Sequence, residues 1–538
     1  MSTARKSLQL SFFTMGSRVL GLIRDRFQAV LFGTGEIASA WEVAYMLPNM
    51  LRNLLAEGVL SQAFIPIYAE AQGVSAERAA RASGVVLVFL FFALSMIVLA
   101  GVLMFPWLLP IINKGQPNTA MLIELAQILF VFILFASLAA VLMGMQQSHQ
   151  HYLIPALGPI LLNLVFIAGY LGLFWQNADG PSAARQLAWI VVIGGFLQLA
   201  LQVGWVVYKG WTPHLNLDWR NPALKKVLLL MAPAVLGASM FQLNQLMDIL
   251  IASWFIPYEV GAIPALRYAH RLIQLPTGII GVAIATVILP TLSRTLRQAD
   301  EQQESRSEFT TAIQFSLFLT VPASLGLFIL GDDIIRVIYY GGKWDTSSTT
   351  ETWQALFYFS LGVPFFSLSK ILTSSFYAWQ DTKSPVRIMM AMVLLNMVLN
   401  VILVGPLAQG GIALSTVISS IGSVILQLLW IRRRGLHVDA GRFRRFIGRA
   451  LTLWILMALL LWLWSLVATP WITTLAIPGG WALFPGNPVQ YRAILIVLPA
   501  VIIAGPAYLA GAWLLGLEEL QAIVRMLPWQ RFWRRSVH

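Results

Sequence analysis

The chain has no cysteine in its 538 residues. That excludes a disulfide framework, thiolate zinc sites, iron–sulfur clusters and a cysteine nucleophile. It leaves the compartment open, because a chain without Cys fits either side of a membrane. Charge is nearly as scarce, at 11% Asp, Glu, Lys and Arg, against roughly 25% in an average soluble domain. A soluble chain of this length makes about three or four domains, and 36 Lys+Arg with 23 Asp+Glu cannot coat their exteriors. HExxH, P-loop, GxGxxG and GxSxG patterns are also absent, so neither a catalytic constellation nor an ATP-driven motor is visible. No low-complexity linker interrupts the chain, and its longest polar break, around Asp300–Glu308, is short.

What fills the sequence instead is apolar. Hydrophobic residues make up 58% and the mean hydropathy is +0.74, which points to an all-α polytopic membrane protein. About 20 apolar residues cross the hydrocarbon core as a helix. Candidate spans fall at 7–33, 37–68, 84–112, 119–146, 153–175, 186–208, 227–256, 260–292, 309–331, 352–380, 386–408, 411–431, 446–468 and 492–516, fourteen in all. The first, second and eighth are interrupted by charge, which a bundle tolerates where the charge faces a cavity. A cleaved signal peptide is not expected at the start, since Arg18, Arg24 and Arg26 break any long apolar run and no small-residue cleavage site follows.

Basic residues set the orientation. With the N-terminus inside, cytoplasmic segments hold 24 of the 36 Lys and Arg, and the opposite loops hold four: Lys114, Arg185, Arg336 and Lys343. This bias places both termini in the cytoplasm. It also accounts for the net charge of +13 without nucleic acid. Seven basic residues lie inside predicted spans: Arg18, Arg24, Arg26, Arg52, Arg267, Arg271 and Lys370.

These seven carry the functional argument. One Arg at the bilayer centre costs roughly 2.5–3.5 kcal/mol on insertion scales, so four facing lipid would cost on the order of 10–14 kcal/mol, as much as a whole folding stability. They must face protein, water or an anion. At 100° per residue Arg18 and Asp25 share a face, so Asp25 is expected to neutralise Arg18, with Arg24 and Arg26 flanking. Asn49 and Arg52 lie one turn apart beside Pro48. Arg267, Arg271 and Gln274 form one stripe of span eight. The acids at comparable depth, Asp25, Glu42, Glu57 and Asp248, are fewer than the cations, and a net positive interior invites an anion. Arginine is the residue for bidentate phosphate recognition. The competing reading is internal ion pairing or snorkelling; it is preferred for Arg26, Arg267 and Lys370, and the ligand reading for Arg18, Arg24, Arg52 and Arg271. Asn244 and Asp248, one turn apart with Gln245 adjacent, suit Na⁺ or a proton, and equally a helix–helix hydrogen bond. His149 and His151, in the loop after span four, are expected to be solvated.

A weak internal repeat is also visible. Pro155 and Leu161-Leu162-Asn163-Leu164-Val165 in span five match Pro385 and Leu394-Leu395-Asn396-Met397-Val398 in span eleven, six spans later. Arg52, Gly58 and Pro66 are echoed by Arg271, Gly278 and Pro290. Six-plus-six duplication is a common transporter plan, and it leaves spans thirteen and fourteen as an appendage whose Trp462, Trp464, Trp471 and Trp481 fit interfacial anchoring.

Several of these segments together resemble one family. Ser17-Arg18-Val19-Leu20-Gly21, Arg24-Asp25, Leu47-Pro48-Asn49-Met50-Leu51-Arg52, Ala56-Glu57-Gly58 and Ser61-Gln62-Ala63-Phe64-Ile65-Pro66 are similar to the MurJ (MviN) lipid II flippases, of the multidrug/oligosaccharidyl-lipid/polysaccharide exporter superfamily. Arg271-Leu272, Leu275-Pro276-Thr277-Gly278, Leu289-Pro290, Phe376-Tyr377-Ala378 and Asp381-Thr382-Lys383-Ser384-Pro385 extend the likeness into span twelve. The resemblance implies two six-helix lobes around a central cavity, 1–220 and 221–436, with two C-terminal helices in 437–538 that form a lipid groove. It implies export of undecaprenyl-diphosphate-linked peptidoglycan precursor (lipid II) across the bacterial inner membrane by a functional monomer among membrane lipids. It carries the family's essential cavity arginines onto Arg18, Arg24, Arg52 and Arg271. Asn49 and Gln274 join them as substrate contacts, with Asp25, Glu42 and Glu57 as charge or gating partners. Many members have an Asp where this chain has Ser39, so either Glu42 substitutes or gating differs. Asp248 aligns roughly with a residue implicated in sodium binding in some members. No resident cofactor is expected, and Na⁺ or H⁺ is the candidate coupling ion. The alternatives are a flippase for another polyprenyl-diphosphate-linked glycan, a cation-coupled drug antiporter of the same superfamily, which prefers an acidic cavity, and an intramembrane prenyl-diphosphate enzyme, which needs clustered acids for Mg²⁺.

Overall fold

Long apolar runs closed by short polar turns fold as helices because each helix satisfies its own backbone hydrogen bonds, which lipid cannot do. The structure, a computed structural model, describes residues 3–54, 60–114, 117–295, 302–474 and 487–520. In chain order the helices are α1 Thr3–Phe32, α2 Glu36–Leu54, α3 Leu60–Val74, α4 Ala76–Ile112, α5 Thr119–Phe130, α6 Phe132–Ser148, α7 Leu153–Trp175 and α8 Gly180–Tyr208. They continue as α9 Pro222–Phe255, α10 Ala262–Thr295, α11 Gln302–Tyr339, α12 Thr346–Ala378, α13 Lys383–Leu407, α14 Gln409–Arg433, α15 Ala440–Thr474 and α16 Pro488–Leu514. Polar side chains fix several starts: Ser75, Asn221, Asp345 and Asn487 each accept a backbone N–H of the first turn.

Among the described residues, ten helices are long and apolar enough to cross a membrane, and an eleventh span arises if Gln242–Phe255 and Tyr258–Gly278, bent by 119°, count as one. The first two helices fall below that threshold, as the charges within them anticipate. The second span of the sequence reading resolves into α2 and α3; residues 55–59, Glu57 among them, lie outside the described residues. The fourth divides at Val131 into α5 and α6. Outward faces carry Leu99, Leu103 and Trp107 on α4 and Leu456, Leu463 and Val467 on α15, all exposed, as a lipid-facing surface requires.

Two compact units emerge from the packing, Met1–Pro264 with Gly342–Trp344, and Ala265–Gly341 with Asp345–His538. In the first, α7 packs on α1 and α8, α6 on α3 and α8, and α9 on α2, α3 and α4. In the second, α12 packs on α11 and α14, α13 on α14, and α15 and α16 on each other and on α11. Lipid tails are as apolar as leucine, so tight packing and interhelical hydrogen bonds hold such units. In the second unit Ser316 donates to Ser367 at 3.1 Å and Ser324 to the Ser360 carbonyl at 2.6 Å. Tyr508 donates to the Phe318 carbonyl at 2.7 Å. Such bonds contribute about 0.6 kcal/mol each in a bilayer.

Candidate functional site

In the first unit the site is built on α1, α2 and α7. Arg24 on α1 donates Nε and Nη2 to one Asp25 carboxylate oxygen, at 3.1 and 2.8 Å. Its Nη1 donates to Oδ1 of Asn163 on α7 at 3.3 Å, and the Asn163 amide in turn donates to the Ser17 carbonyl at 3.1 Å. The Phe166 ring, one turn along α7, lies 5.1 Å from the guanidinium carbon. Arg24 is therefore oriented by a carboxylate, an amide and an aromatic face. Asp25 is buried, so its pairing with Arg24 offsets a desolvation cost that neither charge would bear alone.

This corrects the expected pairing of Asp25 with Arg18. Arg24 immediately precedes Asp25 and its guanidinium bonds that neighbour's carboxylate, and no ion pair joins Arg18 to Asp25 among the described residues. Arg18 is half-buried about two turns earlier on α1. On α2, Arg52 donates Nε and Nη2 to Asn49 Oδ1, at 3.3 and 3.0 Å, as the one-turn spacing suggests, and Nη2 reaches Asn53 at 3.5 Å. These amide oxygens orient the guanidinium without cancelling its charge. Glu42 is buried and accepts from Gln28 at 2.5 Å, and the Gln28 oxygen accepts from Tyr170 at 3.4 Å. Ser39, one turn before Glu42 on the same helix, is buried as well.

In the second unit, α10 presents Arg267 and Arg271 half-buried and Gln274 exposed. The Gln274 amide bonds His270 Nδ1 at 3.0 Å. The His270 ring stands edge-on to Phe359 at 5.8 Å. Lys370, expected to pair or snorkel, is exposed on α12. On α9 of the first unit, Asn244 donates to Asp248 at 3.4 Å, an i to i+4 bond within one helix. Among the described residues no three His, Cys, Asp or Glu side chains cluster as a metal site.

His149 is not solvated as expected. Its ring stacks on Trp211 at 3.8 Å and 5°, and its two nitrogens bond the Tyr68 hydroxyl at 3.1 Å and Gln72 at 3.0 Å. Burial, and then the neighbouring His151, push this imidazole below its usual range. Its partners are aromatic and amide side chains from distant segments, which charge and local spacing do not reveal. Asn163 was likewise not identified as a partner of Arg24, although an amide in an apolar span is the same signal that singled out the arginines.

The chain matches the family model described as lipid II flippase MurJ over residues 28–480. It belongs to the MurJ family. A probable lipid II flippase MurJ from Rhizobium tropici is 36% identical over 443 residues, covering 81% of this chain and 82% of that protein. A lipid II flippase MurJ from Burkholderia cenocepacia is 32% identical over 469 residues, covering 84% and 89%. The fold is like that of a solved lipid II flippase MurJ in an inward closed conformation, with TM-score 0.73 at 23% identity over 93% of this chain and 98% of that one. An inward-facing multidrug resistance MATE family transporter of the MOP superfamily shares the fold at TM-score 0.64 and 14% identity, over 80% and 98%. MurJ proteins are transporters, so the prenyl-diphosphate enzyme loses its support.

Proposed function

We propose that the protein exports lipid II, an undecaprenyl-diphosphate-linked peptidoglycan precursor, across the bacterial inner membrane by alternating access. The observation that carries this reading is the charge balance at membrane depth on α1 and α2 of a MurJ-family chain: Arg18, Arg24, Arg26 and Arg52 against Asp25 and Glu42. A drug-cation antiporter has no use for that excess, whereas a diphosphate does. Arg18, Arg24, Arg52 and Arg271 would bind the diphosphate, with Asn49 and Gln274 beside them. Asp25, Glu42 and Glu57 would tune or gate that charge. The reading includes fourteen transmembrane helices, lobes at 1–220 and 221–436, an appendage at 437–538, both termini in the cytoplasm, and a monomer as the working unit.

No ATP is needed. Moving an anion outward across an inside-negative membrane is favoured by about 2.3 kcal/mol per charge per 100 mV. The carrier's own charge moves out and back once per cycle, so the exported diphosphate charge sets the net driving energy. Na⁺ or H⁺ at Asp248 would adjust the return step.

The test is complementation of a flippase-depleted bacterium, with labelled lipid II followed across the membrane. Growth with accumulation of outward-facing lipid II is expected. Growth failure at normal protein levels, with lipid II held inside, would refute the assignment.

A further inference from the structure

One short segment packs away from the helices that flank it. Gly342–Trp344, in the turn that joins α11 to α12, belong to the first unit, whereas the chain on either side belongs to the second. The turn docks on two helix ends of the first unit. The Lys343 N–H donates to the Val30 carbonyl, in the last turn of α1, at 2.9 Å. The Lys343 ammonium pairs with Asp179, the residue that caps α8. Beside them Trp344 is buried, at 1% exposure.

Two glycines permit this approach. A Cβ on Gly33, the residue after α1, would meet the Lys343 carbonyl oxygen at 2.5 Å, and a Cβ on Gly342 would run into the Val30 carbonyl. Their φ angles of 61° and 59° are ones that glycine adopts without strain. Each segment therefore lacks a side chain where the backbone of the other passes.

The dock is closely fitted, yet little holds it. Both partners of the ion pair are open to water, Lys343 at 44% and Asp179 at 61%, and a pair so exposed contributes little net stability. Parting it strands no charge. The ammonium returns to water, and Asp179 still accepts the Gly180 N–H at 2.5 Å, so α8 keeps its cap. Gly341 and Gly342 both have positive φ, which gives the turn room to reorient. Burial of Trp344 supplies the closing force.

Position gives the dock its role. Val30 lies six residues beyond Arg24, on the helix that also carries Arg18. Val30, Asp179 and Lys343 all stand at the helix ends away from the Lys/Arg-rich loops, the side on which an exported head group leaves. We infer that residues 341–345 form a releasable latch on the outer ends of α1 and α8, closed while the diphosphate head group is taken up and opened when it is discharged. The latch rests on the export reading above.

The chain has no cysteine, so introduced thiols need no background removal. Asp179→Cys with Lys343→Cys, in the full chain in proteoliposomes, would be joined by a reducible bis-methanethiosulfonate. The joined protein is expected to lose lipid II flipping by about tenfold or more and to regain it on reduction. Each single variant, treated alike, should flip at near the unmodified rate. Flipping undiminished in the joined protein would show a permanent brace and overturn the latch. A second measurement needs no transport: spin labels on Gln186→Cys and Thr350→Cys, both exposed, with Lys343 and Asp179 intact. Two label distances are expected in vesicles with lipid II, and joining the latch pair in the same chain should leave the shorter alone. A single distance, with and without lipid II, would overturn the latch. Two distances in a chain that flips no lipid II would overturn the export reading and keep the latch.

Discussion

Asn163 and Asn396 stand at matching places in the internal repeat, each within a Leu-Leu-Asn-x-Val run, yet they do different work. Asn163 accepts from a guanidinium and donates to a neighbouring helix, so α7 is coupled to Arg24 on α1. Asn396 donates to Thr416 at 3.3 Å and accepts from Asn400 at 3.0 Å, an all-neutral network joining α13 to α14. Both asparagines are buried. One sequence motif thus supports charge placement in one unit and helix packing in the other. The repeat conserves a polar position, and the neighbours decide its use.

The largest effects are expected where the charge itself is removed. Arg18→Ala, Arg24→Ala, Arg52→Ala and Arg271→Ala should each abolish complementation with protein levels near normal. If any two supported growth, a shared phosphate site would be untenable.

Next come the two asparagines, where the comparison is tested directly. A hydrogen bond to a charged group contributes roughly 1.5–3 kcal/mol, so Asn163→Ala should lower the flipping rate about tenfold or more while the melting temperature changes little. Asn396→Ala should do the reverse, with near-normal transport per folded molecule and a lower melting temperature. Equal profiles for the two variants would mean that the repeat positions have not diverged.

The all-helical membrane plan was legible in the sequence because hydropathy is a local property, whereas the breaks that divide the second and fourth candidate spans into two helices each were not. Asn49 and Arg52 were also legible as a pair, since one turn of helix guarantees their proximity. The choice of Arg24 over Arg18 by Asp25 was not. Helical spacing favours the i to i+7 partner, but the Arg24 guanidinium reaches its neighbour's carboxylate by folding along α1, with Asn163 and Phe166 of a helix 139 residues away in sequence holding it there. The His149 cluster was hidden for a similar reason: Tyr68, Gln72 and Trp211 come from three separate segments, and nothing about their local spacing announces the contact.

A smaller effect is expected at Glu42. Its carboxylate faces Gln28 inside the first unit, so Glu42→Gln keeps the shape and removes the charge. Transport should fall several-fold, and adding Ser39→Asp, one turn away on α2, should restore part of it. Full activity of Glu42→Gln alone would show that no acid on this helix is needed.

The smallest effect is expected at Asp248, which contrasts with Asp25 in the company it keeps. Asp25 accepts from a guanidinium, whereas Asp248 accepts from the Asn244 amide one turn away. A carboxylate beside an amide can hold a monovalent cation and release it, which suits adjustment of a step better than its driving. In the proposed scheme the field is the driving term: over one cycle the carrier's own charge goes out and back, and the net movement is the diphosphate's negative charge outward, favoured by about 2.3 kcal/mol per charge per 100 mV when the inside is negative. In proteoliposomes loaded with lipid II, collapsing the potential with an ionophore should therefore stop flipping, while Asp248→Asn should slow it only a few-fold at full potential. The opposite result, flipping unchanged at zero potential and lost in Asp248→Asn, would make the bound ion the driver and reduce the arginines to a passive binding surface.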